Sequence, residues 1–120
     1  MDNKEFGKSL EKRTRKFAYL IIKLSSSLPK TPEANVIRNQ LTKAGTSIGA
    51  NYREANRARS KADFSNRIKI CESETSEAIY WLNLINDLKW VNPDQLNFLS
   101  TEANEFLAIF ASAGKKLSKK

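Results

Sequence analysis

The 120-residue chain contains no histidine. That absence removes the commonest general base, the usual zinc ligand and every histidine-containing triad. It also removes the Glu-x-x-His pairs that a carboxylate-bridged di-iron bundle needs on two of its helices. A single cysteine, Cys71, is too few for an internal disulfide or a thiolate zinc site within one chain. Nothing in the cysteine content suggests an oxidising compartment. Apolar runs are only a few residues long, far short of the roughly 20 needed to span a bilayer. Met1 to Lys16 is mostly charged and does not resemble a signal sequence. Gly45 and Gly49 lie in a helical pattern and lack the Lys-Ser/Thr that follows a phosphate-binding loop. The expectation is a non-enzymatic, cytoplasmic protein with no cofactor, no metal, no membrane partner and no small-molecule substrate.

What the chain does have is basic charge, unevenly placed. Of 21 Lys and Arg residues, 16 lie in residues 1–70 beside 6 acids; residues 71–114 hold Lys89 against 7 acids. Lys115, Lys116, Lys119 and Lys120 then close the sequence. Such asymmetry points to a polyanionic partner, or to oppositely charged faces of neighbouring subunits.

Three breaks divide the chain into four segments, and 120 residues suffice for one domain around one core. Ser25-Ser26-Ser27-Leu28-Pro29 ends the first, because the residue before proline avoids helical geometry. Thr31-Pro32 opens the second with a capping residue and a first-turn proline. Ser60-Lys61-Ala62-Asp63 approximates a capping box, and Asn92-Pro93-Asp94-Gln95 repeats the logic. The predicted helices are 5–27, 32–58, 61–90 and 93–117.

Apolar residues recur at 4,3 spacing in each. The first stripe is Phe6, Leu10, Phe17, Leu20 and Leu24, interrupted by Arg13. The second runs Ile37, Leu41, Ala44, Ile48, Asn51, Ala55 and Ala58. The third is Phe64, Ile68, Cys71, Thr75, Ala78, Leu82 and Ile85; the fourth is Leu96, Leu99, Ala103, Phe106, Phe110, Ala113 and Leu117. Sustained spacing of this kind predicts left-handed packing, and short connections make an all-α, antiparallel up-down four-helix bundle. A second apolar row on the third helix, Ile70, Trp81, Leu84 and Leu88, is either a wide core face or a subunit interface.

Three groups of residues stand out as candidates. The first is the glycine pair: mid-helix glycine costs about 1 kcal/mol against alanine, so Gly45 and Gly49 imply close approach of another backbone, from this bundle or a neighbouring subunit, or a local kink. The second is polar: Asn51 on the core stripe calls for hydrogen-bonding partners, and Glu54, Glu74 and Glu77 are the candidates for a register-fixing network. Glu74 and Glu77 are also the candidate pair for acid–base work, against the structural reading.

The third group is basic. Lys12, Arg15 and Lys16 (with Lys8 and Arg13) on the first helix, and Arg53, Arg57, Arg59, Lys61 and Arg67 around the second turn, should converge on one pole of an up-down bundle. The lysine tail is expected at the other pole. A convergent basic surface is the footprint of phosphate binding.

The stretch Leu41-Thr42-Lys43-Ala44-Gly45-Thr46-Ser47-Ile48-Gly49-Ala50-Asn51-Tyr52-Arg53-Glu54-Ala55 carries a further signal. With Arg57-Ala58-Arg59-Ser60-Lys61-Ala62-Asp63-Phe64 and the later Glu74, Glu77, Trp81 and Leu82, it resembles the 23S rRNA intervening-sequence protein family of small four-helix bundles. That family is similar to the retroelement accessory variability protein, a basic homopentameric barrel that binds nucleic acid. The resemblance implies a homo-oligomer, a pentamer, with an RNA- or DNA-binding role. An interaction scaffold whose charged poles serve assembly is the alternative.

Overall fold

Local capping starts each of the last three helices where the sequence places it. The computed structural model describes residues 3–118, which form helices α1 (Asn3–Ser26), α2 (Pro32–Ala55), α3 (Lys61–Leu88) and α4 (Pro93–Ser118). Thr31 Oγ1 accepts the Ala34 N–H at 3.1 Å, and Ser60 Oγ accepts the Asp63 N–H at 3.1 Å. At α4, Asn92 Oδ1 accepts from Asp94 N–H while Gln95 Oε1 accepts from Asn92 N–H, so two orphan donors are satisfied reciprocally.

α1 starts two residues before its predicted position, and the C-terminal ends of α2 and α3 fall three and two residues short of theirs. α2 stops at Ala55 rather than 58, because Arg57 and Ala58 N–H turn back to the Glu54 and Ala55 carbonyls in a tightened last turn. α3 stops at Leu88 because Lys89 adopts left-handed geometry (φ 56°, ψ 36°) and donates its N–H to Asn86 O. A left-handed stop at lysine rather than glycine leaves no mark in the sequence.

Packing runs around a ring: α1 against α2, α2 against α3, α3 against α4, and α4 back against α1, with no diagonal pair among the described residues. The result is the up-down bundle, 46 × 25 × 21 Å. Its centre is aromatic. Phe17 meets Phe106 edge-on at 5.4 Å, and Tyr52 lies 5.8 Å from Phe110. The α3 stripe is buried from Ile68 through Ile85 as its spacing predicts.

The predicted α1 and α2 stripes are buried at Leu10, Phe17, Leu24, Leu41, Ala44, Ile48 and Ala55, and both widen toward one flank. Thr14 and Ile21 are buried where Arg13 and Leu20 were expected, and Phe6 is 43% exposed. On α2, Tyr52 takes the buried position predicted for Asn51, which lies half-buried at the edge. The cause is the glycine pair. A Cβ on Gly49 would stand 3.3 Å from the Thr14 backbone carbon, so the two helices meet over glycine and turn their α1–α2 flanks inward. The close approach is within this bundle. Thr14, buried there, satisfies its hydroxyl on its own helix by donating to Leu10 O at 2.9 Å.

Two arginines are drawn into the framework. Arg38 donates through Nε to Ser25 O and through Nη2 to Leu28 O and Pro29 O, all within 2.9 Å, satisfying carbonyls at the end of α1. Arg13 leaves the core stripe to reach Glu102 Oε2 from both Nε and Nη2, and Glu105 Oε1 from Nη2 at 2.9 Å. Its guanidinium also lies 5.2 Å from the Phe106 ring centroid.

Candidate nucleic-acid interface

The antiparallel order brings the start of α1, the α2–α3 turn and the end of α4 to one pole. Lys115 and Lys116 therefore share the pole of the other basic clusters, a correction to the expectation that the tail lies opposite. An up-down bundle with an even number of helices returns its last end to the end where the first began. Lys119 and Lys120 lie outside the described residues.

Three adjoining grooves run from the middle of α1 to this pole. Between α1 and α2, a cleft of about 390 Å³ is floored by Ala18, Gly49 and Ala50 and rimmed by Lys12, Arg15 and Arg53. The small floor follows from the glycine-mediated approach of the two helices, and it leaves the long basic side chains standing above it. Glu11 is the one acid in that lining, and it is engaged: Asn56 Nδ2 donates to its Oε2 at 2.8 Å, and Arg57 Nη1 lies 3.9 Å from its Oε1. Beside it, Lys4, Lys8 and Arg57 line a second groove with Gly7, Asn56 and the same Glu11. Around the α2–α3 turn, Arg59 and Lys61 flank Phe64 in a third.

The other two predicted residues are placed differently. Arg67 is half-buried, donating to Asn51 Oδ1 at 3.3 Å and lying 3.9 Å from Asp63 Oδ1, so it is tied to its own surface. Lys16 turns to the far side of α1 and sits 5.4 Å over the Phe98 ring of α4. Arg13 contributes nothing to the basic surface because two carboxylates occupy it; hydrogen bonding to Glu102 raises its pKa above the ordinary value.

The predicted polar network does not form as drawn. Asn51 bonds to Arg67 and to its own helix at Ser47 O (2.9 Å), not to the glutamates. Glu54 and Glu77 are exposed. Glu74 is half-buried with its Oε2 enclosed and without a hydrogen-bond partner among the described residues, as is Trp81 Nε1. The period of α3 puts Glu74 beside the core edge, and spacing alone carries no sign of whether a partner reaches it. Sequence reasoning missed the structural roles of Arg13 and Arg38; the interruption of the α1 stripe by Arg13 was the available signal for the first.

Cys71, on the buried stripe, donates weakly to Ile48 O at 3.6 Å, and burial pushes its thiol up to about 12. No group of three His, Cys, Asp or Glu among the described residues is arranged to hold a metal ion. No helix among them is long and apolar enough to cross a membrane.

These features define a small all-α protein: an antiparallel four-helix bundle with small-floored basic grooves at one pole. Residues 9–112 match the model of the 23S rRNA-intervening sequence protein, and the chain belongs to that family. The fold is similar to that of a solved protein of unknown function from the S23 ribosomal protein family of Bacteroides thetaiotaomicron. The two are 31% identical with a TM-score of 0.81, over 91% of this chain and 97% of that one. Among curated proteins no significant match is found.

Proposed function

We propose that the protein is a non-enzymatic, cytoplasmic homo-oligomer that binds nucleic acid by phosphate contacts at its basic pole. One observation carries this reading. Lys12 and Arg15 from α1 and Arg53 from α2 meet over a floor of glycine and alanine, and the single acid in the cleft is already engaged. Arg57, Arg59 and Lys61 extend the same surface around the α2–α3 turn. Convergent cations that outnumber the one lining acid, Glu11, suit a polyanion. The family's description by 23S rRNA makes RNA the first ligand to try. Repetition of the pole in an oligomer raises avidity without new contacts.

The test is fluorescence anisotropy with RNA and DNA oligonucleotides across a salt series. Log affinity should fall by roughly 0.7–0.9 per phosphate contacted for each decade of salt. Arg57→Ala with Arg59→Ala should weaken binding about equally across sequences and flatten that slope, because backbone contacts carry no sequence information. No binding at low salt, or binding untouched by the double variant, turns the reading toward a scaffold whose charged poles serve assembly.

A further inference from the structure

The α1–α4 side of the bundle differs in chemistry from the pole. A groove of about 480 Å³ runs between the second half of α1 and the start of α4, floored by Leu20, Leu24 and Leu99 and rimmed by Lys16 and Lys23. Its lining holds no acidic side chain. Arg13, bound to Glu102 and Glu105, occupies the two α4 carboxylates one and two turns beyond Phe98. Asp94, one turn before Phe98, is outside the lining.

Two large aromatic rings stand at this groove and beside it. Phe98 is 48% exposed and Tyr19 is 60% exposed. Each has an ammonium over its ring: Lys16 Nζ at 5.4 Å from the Phe98 centroid, Lys23 Nζ at 5.5 Å from that of Tyr19. An exposed aromatic face paired with a cation offers a base a stacking surface and its phosphate a charge at the same place.

We propose that this groove takes the bases of a single-stranded nucleic acid, stacked on Phe98 with Tyr19 alongside, while Lys16 and Lys23 hold the backbone. The proposal rests on the phosphate-binding reading above and narrows its ligand to an unpaired strand. The basic cleft and this groove flank the same helix, so a strand crossing α1 meets Lys12 and Arg15 on one side and Lys16 and Lys23 on the other. A duplex keeps its bases stacked inside and has no face to offer Phe98. A second copy of this chain is the competing occupant. Of the exposed apolar residues without a lysine over them, Val36, Ile70, Tyr80 and Leu88 lie on α2 and α3, and Phe6 and Ile22 lie on α1 outside the lining of this groove.

The experiment compares labelled RNA strands of roughly 16 nucleotides, the upper site size of known single-strand binders. One is base-bearing, one is abasic and one is annealed to its complement. The base-bearing strand should bind about ten-fold more tightly than the abasic one, the range expected of a stacked base. Phe98→Ala should erase that difference and leave abasic and duplex binding unchanged, and Phe98→Trp should restore it. Circular dichroism of each variant checks the fold. Base-bearing binding insensitive to Phe98→Ala, with the salt response intact, overturns the groove and leaves the phosphate reading standing. A lowered sedimenting mass for Phe98→Ala, with unchanged strand preference, assigns the groove to a second subunit and also overturns it. Wild-type protein that binds none of the three ligands overturns the phosphate reading and the groove with it.

Discussion

A Cβ built on Gly45 would stand 2.8 Å from both Cγ1 and Cγ2 of Ile21, closer than carbon atoms approach without displacement. Ile21 is fully buried and branched at its Cβ, so it has no flexible end to move aside. Gly45→Ala should therefore lose stability. Overpacking of about 1–3 kcal/mol outweighs the gain of about 1 kcal/mol in helix propensity. Gly7 is the control, since its Cβ would meet Asn56 Nδ2 at an ordinary 3.4 Å; Gly7→Ala should gain stability. In urea titrations, Gly45→Ala with Ile21→Ala should lose less than the two singles added. Strict additivity would remove the steric account.

Arg13 and Arg15 are near neighbours in sequence with opposite expected behaviour. Arg13→Ala strands the Glu102 carboxylate, whose side chain is only 15% exposed, and should cost about 1–2 kcal/mol in denaturant midpoints. RNA affinity should stay within two-fold of the parent, an order-of-magnitude bound on a cation already paired. Arg15→Ala should leave stability unchanged and weaken binding. A large affinity loss from Arg13→Ala would contradict the division of roles.

Cys71 titrates where few thiols do. Its folded value of about 12 lies above its ordinary 9.0 because burial disfavours the thiolate. Between those values the unfolded chain has released the proton and the folded one retains it. The contribution is thus fully present below pH 9 and is lost as pH rises toward 12, by up to about 1.4 kcal/mol per pH unit. A thiol reagent at pH 8 should label unfolded protein quickly and native protein at the rate of unfolding. Fast native labelling would place the thiol at the surface.

Assembly is tested by mass. Sedimentation equilibrium should give several times 13.6 kDa, five times for the pentamer that the resemblance implies. Ile70→Glu with Leu88→Glu, at exposed positions of α3, should lower that mass without loss of helix. A wild-type monomer at all concentrations would reject oligomerisation, and no change in the double variant would move the interface elsewhere.

Capping chemistry and the α3 stripe were readable from sequence because both are local: Thr31, Ser60 and Asn92 announce their helices within four residues. The widening of the α1 and α2 stripes on their shared flank was not. It depends on which helix meets the glycines, and Thr14, Ile21 and Tyr52 change from flank to core only once that partner is known. Among the candidate basic residues, Lys12, Arg15 and Arg53 were named correctly as neighbours from connectivity alone. Lys16 and Arg67 were assigned to the same surface because charge counts ignore direction, and the ring over which Lys16 sits is 82 positions away in sequence. Arg38 drew no reading from the sequence; its partners are backbone carbonyls, which sequence does not display.

The antiparallel order of the four helices has an electrostatic corollary. At the basic pole two helices present their N-termini and two their C-termini, so the partial charges of their backbone dipoles oppose and largely cancel. The field there comes mainly from side chains. Lys12, Arg15, Arg53, Arg59 and Lys61 are all exposed and take no part in the core, so the sign and strength of that field are variables independent of the fold. Bundles of one architecture can thus diverge in ligand by exchanging a handful of surface charges, with no adjustment among Phe17, Phe106 and Phe110 beneath them.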